Sequence, residues 1–593
     1  MIKSYKSFSE LKTEFENIYA NIDKKYIGHT HWHKNDEPLS EHISKTVHYF
    51  HTIVNVHDLE EIIDNIIFEI AGSNYELGNF IKILFYNSII FHDFGKINPN
   101  FQNYIGNKEI KWSNSIKIGK EHSFLSAYIF LNYFTGQILK AKQFKNRDAY
   151  LAYGFIFLFS LPILKHHSSF IEKDIGFDQD KIKSIHDLIS FFNIQIPLEK
   201  TSNLIEHQDK IWTEFDDLDV FSIFVLLKLN YSLLTAVDFY ATTEYINDIK
   251  FQTKQDFGLI TKDIKQKLQF NIKNKKKYNG DLIDNLEYYL NYSTQDLQIT
   301  SYDNLNILRQ KLGAEVLSNI KNHRKEKIFY IEAPTGSGKT NMSMLAVWQM
   351  LQLFPKINKV FYVFPFTTLI TQTAKAIKET LGLTYNEIAQ VHSKAGFQKR
   401  NYKNNEIDAH YGKKKRNEID NIFVNYPFIL LTHIKFFNIL KSNEKKSNYL
   451  LHRLANSIVI IDELQSYNPR EWDKIKYFIA NYSKLFNVRF ILMSATLPKL
   501  DELKLPGKPY KLKKQFVSLI REPEKYLQNP NFSKRVKIKT GLLEEKDLTL
   551  EKLAEKVLQK SKEYSSNRTD EYQNSIYTII EFIFKITKTN TSP

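Results

Sequence analysis

The chain has 593 residues, of which 42% are hydrophobic and 14% aromatic, enough for several packed cores in roughly three to four domains. It contains no cysteine, which excludes disulfides and thiolate metal ligands and leaves His, Asp and Glu to hold any metal ion. Lysine and arginine exceed aspartate and glutamate by 82 − 66 = 16, which favours a polyanionic partner such as nucleic acid, although a Lys-rich solvated surface would give the same excess.

The N-terminus, MIKSYKSFSELKTEF, lacks the apolar core of a signal peptide. The longest apolar run, at 151–164, is too short for a membrane span and contains Gly154 and Pro162. We therefore expect a cytoplasmic protein that does not enter a membrane.

Helical periodicity dominates residues 1–250, as in LGNFIKILFYNSIIFHDFG and DVFSIFVLLKLNYSLLTAVDFYATTEY, and predicts an all-α domain. Several histidines and carboxylates of this domain lie at or near helix ends and turns. Imidazole nitrogen and carboxylate oxygen bind divalent transition ions at similar short distances, and one carboxylate can bridge two ions. The residues singled out as metal ligands are His42, His92, Asp93, His122, His166, His167 and Asp238.

The order H…HD…H…HH…D over several helices resembles that of the HD phosphohydrolases. The run FHDFGK places Lys96 shortly after the His-Asp pair, and we assign its ammonium to the scissile phosphate. Other histidines of this half are left out of the site, because a surface or core histidine is the more common case. They are His29, His31, His33, His48, His51 and His57.

Residues 251–305 become polar and rich in Lys and Asn, as in NIKNKKKYNGD, and are interpreted as a connector. The run KIFYIEAPTGSGKTNMSML at 327–345 then predicts a strand, a glycine-bearing turn and a helix. It matches G-x-x-x-x-G-K-[ST], the phosphate-binding loop, with Ala333 in place of the first glycine. The residues expected to bind ATP here are Gly336, Ser337, Gly338, Lys339 and Thr340.

Short apolar runs, VFYVFPF, FILLTH, SIVIIDELQ and RFILMSAT, alternate with helical segments after this loop. They predict a doubly wound parallel sheet in an α/β RecA-like domain over 306–510. At the end of one strand, Asp462 is expected to hold Mg²⁺ through water, and Glu463 to orient and deprotonate the attacking water.

Ser494 and Thr496, within MSATLP, complete a set that resembles the nucleotide-binding motifs of superfamily 2 helicases. PFTTLITQ at 365–372, VHS at 391–393 and LLTHIKFF at 430–437 resemble the single-strand contacts of that superfamily. With the histidine set ahead of them, residues 38–500 resemble the CRISPR-associated helicase-nuclease of type I systems, which the Cascade surveillance complex recruits to target DNA.

The resemblance implies that the seven ligands bind transition metal ions, Mn²⁺, Co²⁺, Ni²⁺ or Fe²⁺, with Asp93 as the catalytic bridge. It also implies ATP with Mg²⁺ at the helicase site, and degradation of single-stranded DNA fed by 3′ to 5′ translocation. Two alternatives stay open. One is an HD nucleotide phosphohydrolase regulated by an ATPase-like half, and the other is a non-catalytic ATP- or DNA-binding remnant.

Residues 511–593 are interpreted as a connector and the start of an incomplete second RecA-like domain, because no arginine-finger motif follows Lys499. We therefore expect either a truncated gene with impaired translocation or a split enzyme whose second lobe is a separate chain.

Overall fold

The computed structural model describes residues 5–110, 119–141, 144, 147–168, 208–391, 416–442, 445–496 and 516–534, with short pieces between 549 and 559. The chain forms two units, Met1–Asn529 and Pro530–Pro593. The motif residues 392–393 and most of the predicted segment 511–593 lie outside the described residues. In the second unit, one short helix, Pro530–Ser533, is described by itself.

The first part of the larger unit is helical, as the periodicity predicts. Its first helix begins with a capping box, in which the Ser7 side chain and the Glu10 side chain satisfy each other's backbone N–H groups. A short antiparallel pair, β1 (Ile27–His29) and β2 (Glu37–Pro38), precedes the second helix. The helices are α1 (Phe8–Ala20), α2 (Leu39–Val56), α3 (Glu60–Ala71), α4 (Tyr75–Phe91), α5 (Pro99–Tyr104), α6 (Ser123–Ala141), α7 (Arg147–Lys165), α8 (Gln208–Thr213) and α9 (Val220–Asn247).

Two of these helices, α7 and α9, are long and apolar enough to cross a bilayer. Within the fold, however, 56% and 83% of their most apolar windows are buried against other elements. A helix that is apolar all round is expected in a protein core. We therefore interpret both as core helices.

The segment predicted as a connector is also helical in the structure. Its buried side chains include Ile264, Leu268 and Leu282, while Lys262, Lys273 and Lys276 are exposed, so the polar composition hid the helical period. A stretch of π-helix, Asn271–Lys275, joins two of its helices. The helices are α10 (Lys262–Phe270), α11 (Lys277–Asp284) and α12 (Leu286–Asn291). The next helix, α13 (Tyr302–Asn322), starts at the end of this segment and lies mostly in the predicted RecA-like domain.

A seven-stranded, wholly parallel sheet follows, in the order β5-β6-β4-β7-β8-β3-β9, which confirms the predicted doubly wound α/β fold. The edge strands β5 and β9 are not among the predicted strands. The strands are β3 (Ile328–Glu332), β4 (Lys359–Phe364), β5 (Ile388–Val391), β6 (Phe428–Thr432), β7 (Ser457–Ile461), β8 (Arg489–Ser494) and β9 (Phe516–Ser518). The accompanying helices are α14 (Lys339–Leu353), α15 (Thr367–Leu381), α16 (His433–Lys441), α17 (Lys445–Asn448), α18 (Trp472–Leu485) and α19 (Pro523–Gln528).

Buried cations join the helical half to the sheet. Arg453 is fully buried and donates to the carbonyl of Phe257 at 2.9 Å and to the hydroxyl of Tyr240 on α9 at 3.0 Å. Lys359, at the start of β4, donates to the carbonyls of Gly258 and Tyr426, each at 2.7 Å. Because a buried donor left without an acceptor costs about 1–3 kcal/mol, these bonds fix the loop at 257–258 against the sheet.

A third buried cation, Lys228 on α9, contacts the end of α16. Its ammonium donates to the carbonyls of Ile439 and Leu440 at 2.9 and 3.0 Å. Burial lowers the pKa of Lys228 to about 7. These carbonyls belong to the last turn of α16, where orphan acceptors and the helix dipole both favour a donor.

Replacing Gly258 by Ala should weaken the packing of the loop at 257–258 against the sheet. Gly258 has φ +60°, and an added Cβ would lie 1.9 Å from the backbone carbon of Asn425. Gly106 is a matched control, since it also has positive φ, +85°, but an added Cβ would meet nothing within 4 Å. We expect Gly106→Ala to cost about 1–2 kcal/mol from strain alone. Gly258→Ala should lower the apparent unfolding temperature, measured by calorimetry, by several degrees more. Equal shifts would contradict the crowding seen at Gly258.

Candidate metal centre and nucleotide site

The seven predicted metal ligands lie together, although they come from distant parts of the sequence. α2 contributes the first histidine, the end of α4 the His-Asp pair, the start of α6 and the end of α7 three more histidines, and α9 the last carboxylate. They form two groups of four donors, each group with its donor atoms within 4.8 Å of one another. One group is His42, His92, Asp93 and Asp238, and the other is Asp93, His122, His166 and His167.

Asp93 is the member that both groups share, and its two oxygens face different histidines. Oδ2 lies 3.2 Å from His42 Nε2 and 3.5 Å from His92 Nε2. Oδ1 lies 3.2 Å from His122 Nε2 and 3.6 Å from His166 Nε2. A carboxylate placed in this way has the geometry to bridge two ions, one on each oxygen.

The remaining two ligands extend the groups outward. Asp238 Oδ1 lies 3.3 Å from His42 Nε2. His167 Nε2 lies 2.9 Å from His122 Nε2, and His167 is the exposed member of the whole set. The centre is therefore buried at its core and reaches solvent on the His167 side.

A glycine allows the turn after Asp93 to approach α6 closely. A Cβ at Gly95 would lie 2.0 Å from the carbonyl oxygen of His122, and Gly95 N donates to Ser126 Oγ at 2.8 Å. Any larger residue would push the start of α6 away. Gly95 thus sets the distance between Asp93 and His122.

The donor set fits divalent metal ions. His92 and His166 each donate Nδ1–H to a backbone carbonyl, that of Ile89 at 2.8 Å and that of Ile163 at 2.6 Å. This leaves both Nε2 lone pairs directed at the centre, as metal-binding imidazoles require. These two Nε2 atoms, His42 Nε2 and Asp93 Oδ1 are buried without a well-aligned hydrogen bond. Buried polar atoms are rarely left so, and one metal ion in each group would satisfy all four.

The electrostatics of the centre also favour a cation. Burial by itself would raise the pKa of Asp93, but the Lys96 ammonium and the surrounding imidazoles hold it well below its usual range. Histidines lower the pKa of Asp238 in the same way against its burial. Burial acts to lower the pKa of His42, yet the carboxylates of Asp238, Asp93 and Glu37 raise it to about 10. Ionised carboxylates therefore create a negative field at this point.

Lys96 lies in the centre with its ammonium fully engaged. It pairs with Asp93 Oδ2 at 2.7 Å, donates to the carbonyl of Gly28 at 3.1 Å, and lies 3.1 Å from His29 Nε2. Its side chain is only 5% exposed. A contact with a substrate phosphate would therefore replace one of these bonds, and that role stays a prediction.

Sequence reasoning missed two residues beside the centre, Glu37 and His29. Both lie on the β1–β2 pair, and with His42 they form a third cluster of possible ligands. No motif marks Glu37, and His29 was left out as an ordinary histidine. Their proximity arises from a two-strand pairing too short to predict from periodicity.

The phosphate-binding loop adopts the backbone conformation that the motif requires. Gly336 and Gly338 have φ of 78° and 88°, and Gly338 is the N-cap of α14. Lys339 Nζ donates to the carbonyl of Ala333 across the loop at 3.3 Å, and Thr340 follows in the first turn of the helix. Arg309 on α13 donates to the carbonyl of Gly336 at 3.0 and 2.8 Å. Free N–H groups at a helix N-terminus make this a phosphate site.

The other nucleotide motifs lie on the neighbouring strands. β7, β8 and β3 are adjacent, so Asp462 and Glu463, Ser494 and Thr496, and the phosphate loop meet at one sheet edge. Burial and the nearby Glu463 raise the pKa of Asp462 to about 7. The backbone N–H of Glu463, a residue with φ 47°, donates to Asp462 Oδ1 at 2.9 Å.

Gln465 links these motifs and was not singled out in the sequence. Its amide nitrogen donates to Glu463 Oε2, and its amide oxygen accepts from Ser494 Oγ. Thr496 N in turn donates to Ser494 Oγ at 3.1 Å. The carboxylate assigned to water activation is therefore connected to the Ser-Ala-Thr motif through one side chain.

The predicted single-strand contacts lie at the same edge, after β4 and β6. Phe366 and Ile434 are 58% and 63% exposed there. Thr432 caps α16 by accepting from Lys435 N at 3.4 Å. Of the VHS motif, Val391 ends β5, and its other two residues lie outside the described part of the chain.

A cavity of about 290 Å³ adjoins the phosphate loop. It is lined by Tyr278, Asn306, Arg309, Ser337, Gly338, Asn341 and Met342. Because it lies between α11, α13 and the start of α14, it can accept the nucleoside of a nucleotide whose phosphates occupy the loop.

Comparison with known protein families gives a match in the second half of the chain. Residues 313–503 match the family model described as DEAD/DEAH box helicase. The match spans the phosphate loop, Asp462 with Glu463, and the Ser-Ala-Thr motif. A search of curated proteins finds no match.

Solved structures of Cas3 from T. fusca are similar to this chain. The AMPPNP complex shares 14% identity, with a TM-score of 0.46 over 80% of this chain and 50% of that one. The ATP complex shares 14% identity, with a TM-score of 0.45 over 86% and 52%. A chain of a CRISPR RNA-guided surveillance complex, pre-nicking, shares 13% identity, with a TM-score of 0.40 over 80% and 48%. This chain spans about half the length of these structures.

Replacing Asp93 by Asn should weaken metal binding in both groups, because Asp93 is the donor that they share. We expect Mn²⁺ affinity, measured by isothermal titration calorimetry, to fall at least about 10-fold. His48→Ala is the control, since His48 is an exposed histidine on α2 outside the centre. Unchanged Mn²⁺ binding by Asp93→Asn would show that the two groups do not hold metal.

Replacing Lys339 by Ala should remove a charged donor to the nucleotide phosphates. A hydrogen bond to a charged group contributes about 1.5–3 kcal/mol, so ATP affinity should fall roughly 10- to 100-fold. Fluorescence anisotropy with a labelled ATP analogue and Mg²⁺ measures this loss. Lys375→Ala, an exposed lysine on α15, should bind like the parent. Equal affinities for both variants would argue against nucleotide binding at this loop.

Proposed function

We propose that this chain is a CRISPR-associated type I helicase-nuclease that degrades invading DNA. Its helical half cleaves single-stranded DNA at the metal centre, and its helicase half drives translocation with ATP. The observation that carries this proposal is that the other six predicted ligands surround Asp93. This cluster lies in the same unit as the residues that match the DEAD/DEAH box helicase model.

At the metal centre, the chain supplies nitrogen and oxygen donors only, which suits Mn²⁺, Co²⁺, Ni²⁺ or Fe²⁺. The two donor groups would hold two such ions, which would supply a water of lowered pKa and charge stabilisation for an in-line displacement at phosphorus. Asp93 holds the two donor groups together, and His92 and His166 keep fixed tautomers through their carbonyl bonds. The exposed His167 marks the side from which a DNA strand reaches the centre.

At the nucleotide site, Lys339 neutralises phosphate charge, and Thr340 and Asp462 hold Mg²⁺. Glu463 orients the attacking water as a general base. Gln465 couples Glu463 to Ser494, so that the state of the nucleotide is transmitted to the Ser-Ala-Thr motif. A second RecA-like lobe, from a separate chain if the enzyme is split, completes the site with an arginine.

The partners follow from this assignment. Single-stranded DNA binds along the edge formed by the ends of β4, β5 and β6, helped by the net charge of +16. The Cascade surveillance complex with its target DNA delivers this substrate in the cytoplasm.

The test is cleavage of labelled single-stranded DNA by the purified protein with Mn²⁺ and without ATP. We expect cleavage, because every ligand of the metal centre precedes residue 250 and none belongs to the nucleotide site. Asp93→Ala should abolish it, whereas Lys339→Ala should cut as fast as the parent.

Two further measurements separate the alternatives. Hydrolysis of free deoxynucleotides with intact single-stranded DNA would support the nucleotide phosphohydrolase instead. Binding of ATP or DNA without hydrolysis of either would support the binding remnant. Equal cleavage by Asp93→Ala and the parent at matched metal would show that the nuclease assignment is wrong.

A further inference from the structure

Glu37 lies next to the metal centre and has no assigned role. It is the first residue of β2 and is only 2% exposed, although it carries a carboxylate. Lys45 Nζ pairs with its Oε1 at 2.6 Å. Its Oε2 accepts from His29 Nδ1 at 3.0 Å and lies 3.4 Å from His42 Nδ1, which is within ion-pair distance but not a well-aligned hydrogen bond. A buried carboxylate with this many cationic and N–H partners is held in one position.

The contact with His42 complements those of the other buried ligands. His92 and His166 are oriented by backbone carbonyls that accept from Nδ1. Among the described contacts, His42 has no such carbonyl bond, and the group facing its Nδ1 is the Glu37 carboxylate. A carboxylate at ion-pair distance attracts the Nδ1–H group electrostatically, which restricts rotation of the ring and makes the other nitrogen a stronger donor to metal.

A second chain of contacts runs from Glu37 through His29 and Lys96 to Asp93. The Lys96 ammonium has only donors, so His29 Nε2, 3.1 Å away, must accept from it. His29 therefore carries its proton on Nδ1, where Glu37 Oε2 accepts it. Lys96 is thereby held on Asp93 Oδ2 at 2.7 Å. Glu37 is therefore the residue at which both chains of contacts begin, one through His42 and one through His29.

We propose that Glu37 is a positioning residue of the metal centre, which directs His42 Nε2 at the ion shared with Asp238 and, through His29, holds Lys96 on Asp93. This inference rests on the proposed metal centre. It assigns Glu37 no contact with the metal ion or the DNA.

The test replaces Glu37 by Gln, which keeps the size of the side chain and removes its charge. By calorimetry we expect Mn²⁺ affinity to fall about 10- to 100-fold, as for other partners of ligating histidines. The absorption spectrum of the Co²⁺ form should also change, because the orientation of one ligating imidazole is released. A purely structural role would leave that spectrum unchanged in the folded variant.

Glu41→Gln is the matched control, since Glu41 is an exposed glutamate in the first turn of α2. It should bind Mn²⁺ like the parent. If Glu37→Gln does not fold, as judged by circular dichroism, Glu37→Asp replaces it. That variant keeps the charge but withdraws it by one methylene, so it should lose affinity as well.

An affinity within about twofold of the parent and an unchanged Co²⁺ spectrum in the folded variant would overturn the inference. Absence of Mn²⁺ binding by the parent would overturn it together with the metal centre. Because the readout is metal binding, a parent that binds Mn²⁺ but leaves DNA intact shows a failure of the proposed function separately.

Discussion

The burial of α9 is the constraint on which both halves of the structure depend. This helix is apolar on every side, so it must be enclosed by protein. Helices of the metal centre pack against it, and so does the turn Leu451–Leu454, which precedes β7. Asp238 extends from it into the metal centre. Ser232 lies 3.0 Å from His452 Nδ1, and Tyr240 accepts from Arg453, both beside the sheet. The helix therefore connects the metal centre to the residues beside the sheet.

The metal centre and the nucleotide site bring their residues together in different ways. In the sheet, parallel register places consecutive motifs at one edge, as when Glu332 pairs with Ser494 beside the phosphate loop. In the described part of the helical half, the ligands come from five helices, most of them at or near a helix end, and they meet because these helices are packed at fixed distances. Close packing at Gly95 is one such distance.

The sequence was sufficient where residue type and order determine chemistry. The helical first half and the parallel sheet follow from period and spacing, and the grouping of the seven ligands follows from the resemblance of their order to that of the HD phosphohydrolases. It was insufficient where geometry depends on distant packing. Glu37 and His29 meet through a pair of very short strands, Gln465 joins two motifs through its side chain, and the polar surface of α10 and α11 conceals their buried residues. None of these contacts leaves a periodic signal.

The bonds of Lys228 have a mechanical consequence. α16 starts directly after β6, and the carbonyls that accept from Lys228 on α9 lie about 10 Å further along its axis. If α16 moved along its axis and α9 did not, the Lys228 ammonium would lose its acceptors while still buried. An unsatisfied buried donor costs about 1–3 kcal/mol of free energy. α16 thus connects the end of β6 to α9, the helix that carries Asp238. A displacement of the loop after β6 would therefore be transmitted along α16 to a carboxylate of the metal centre.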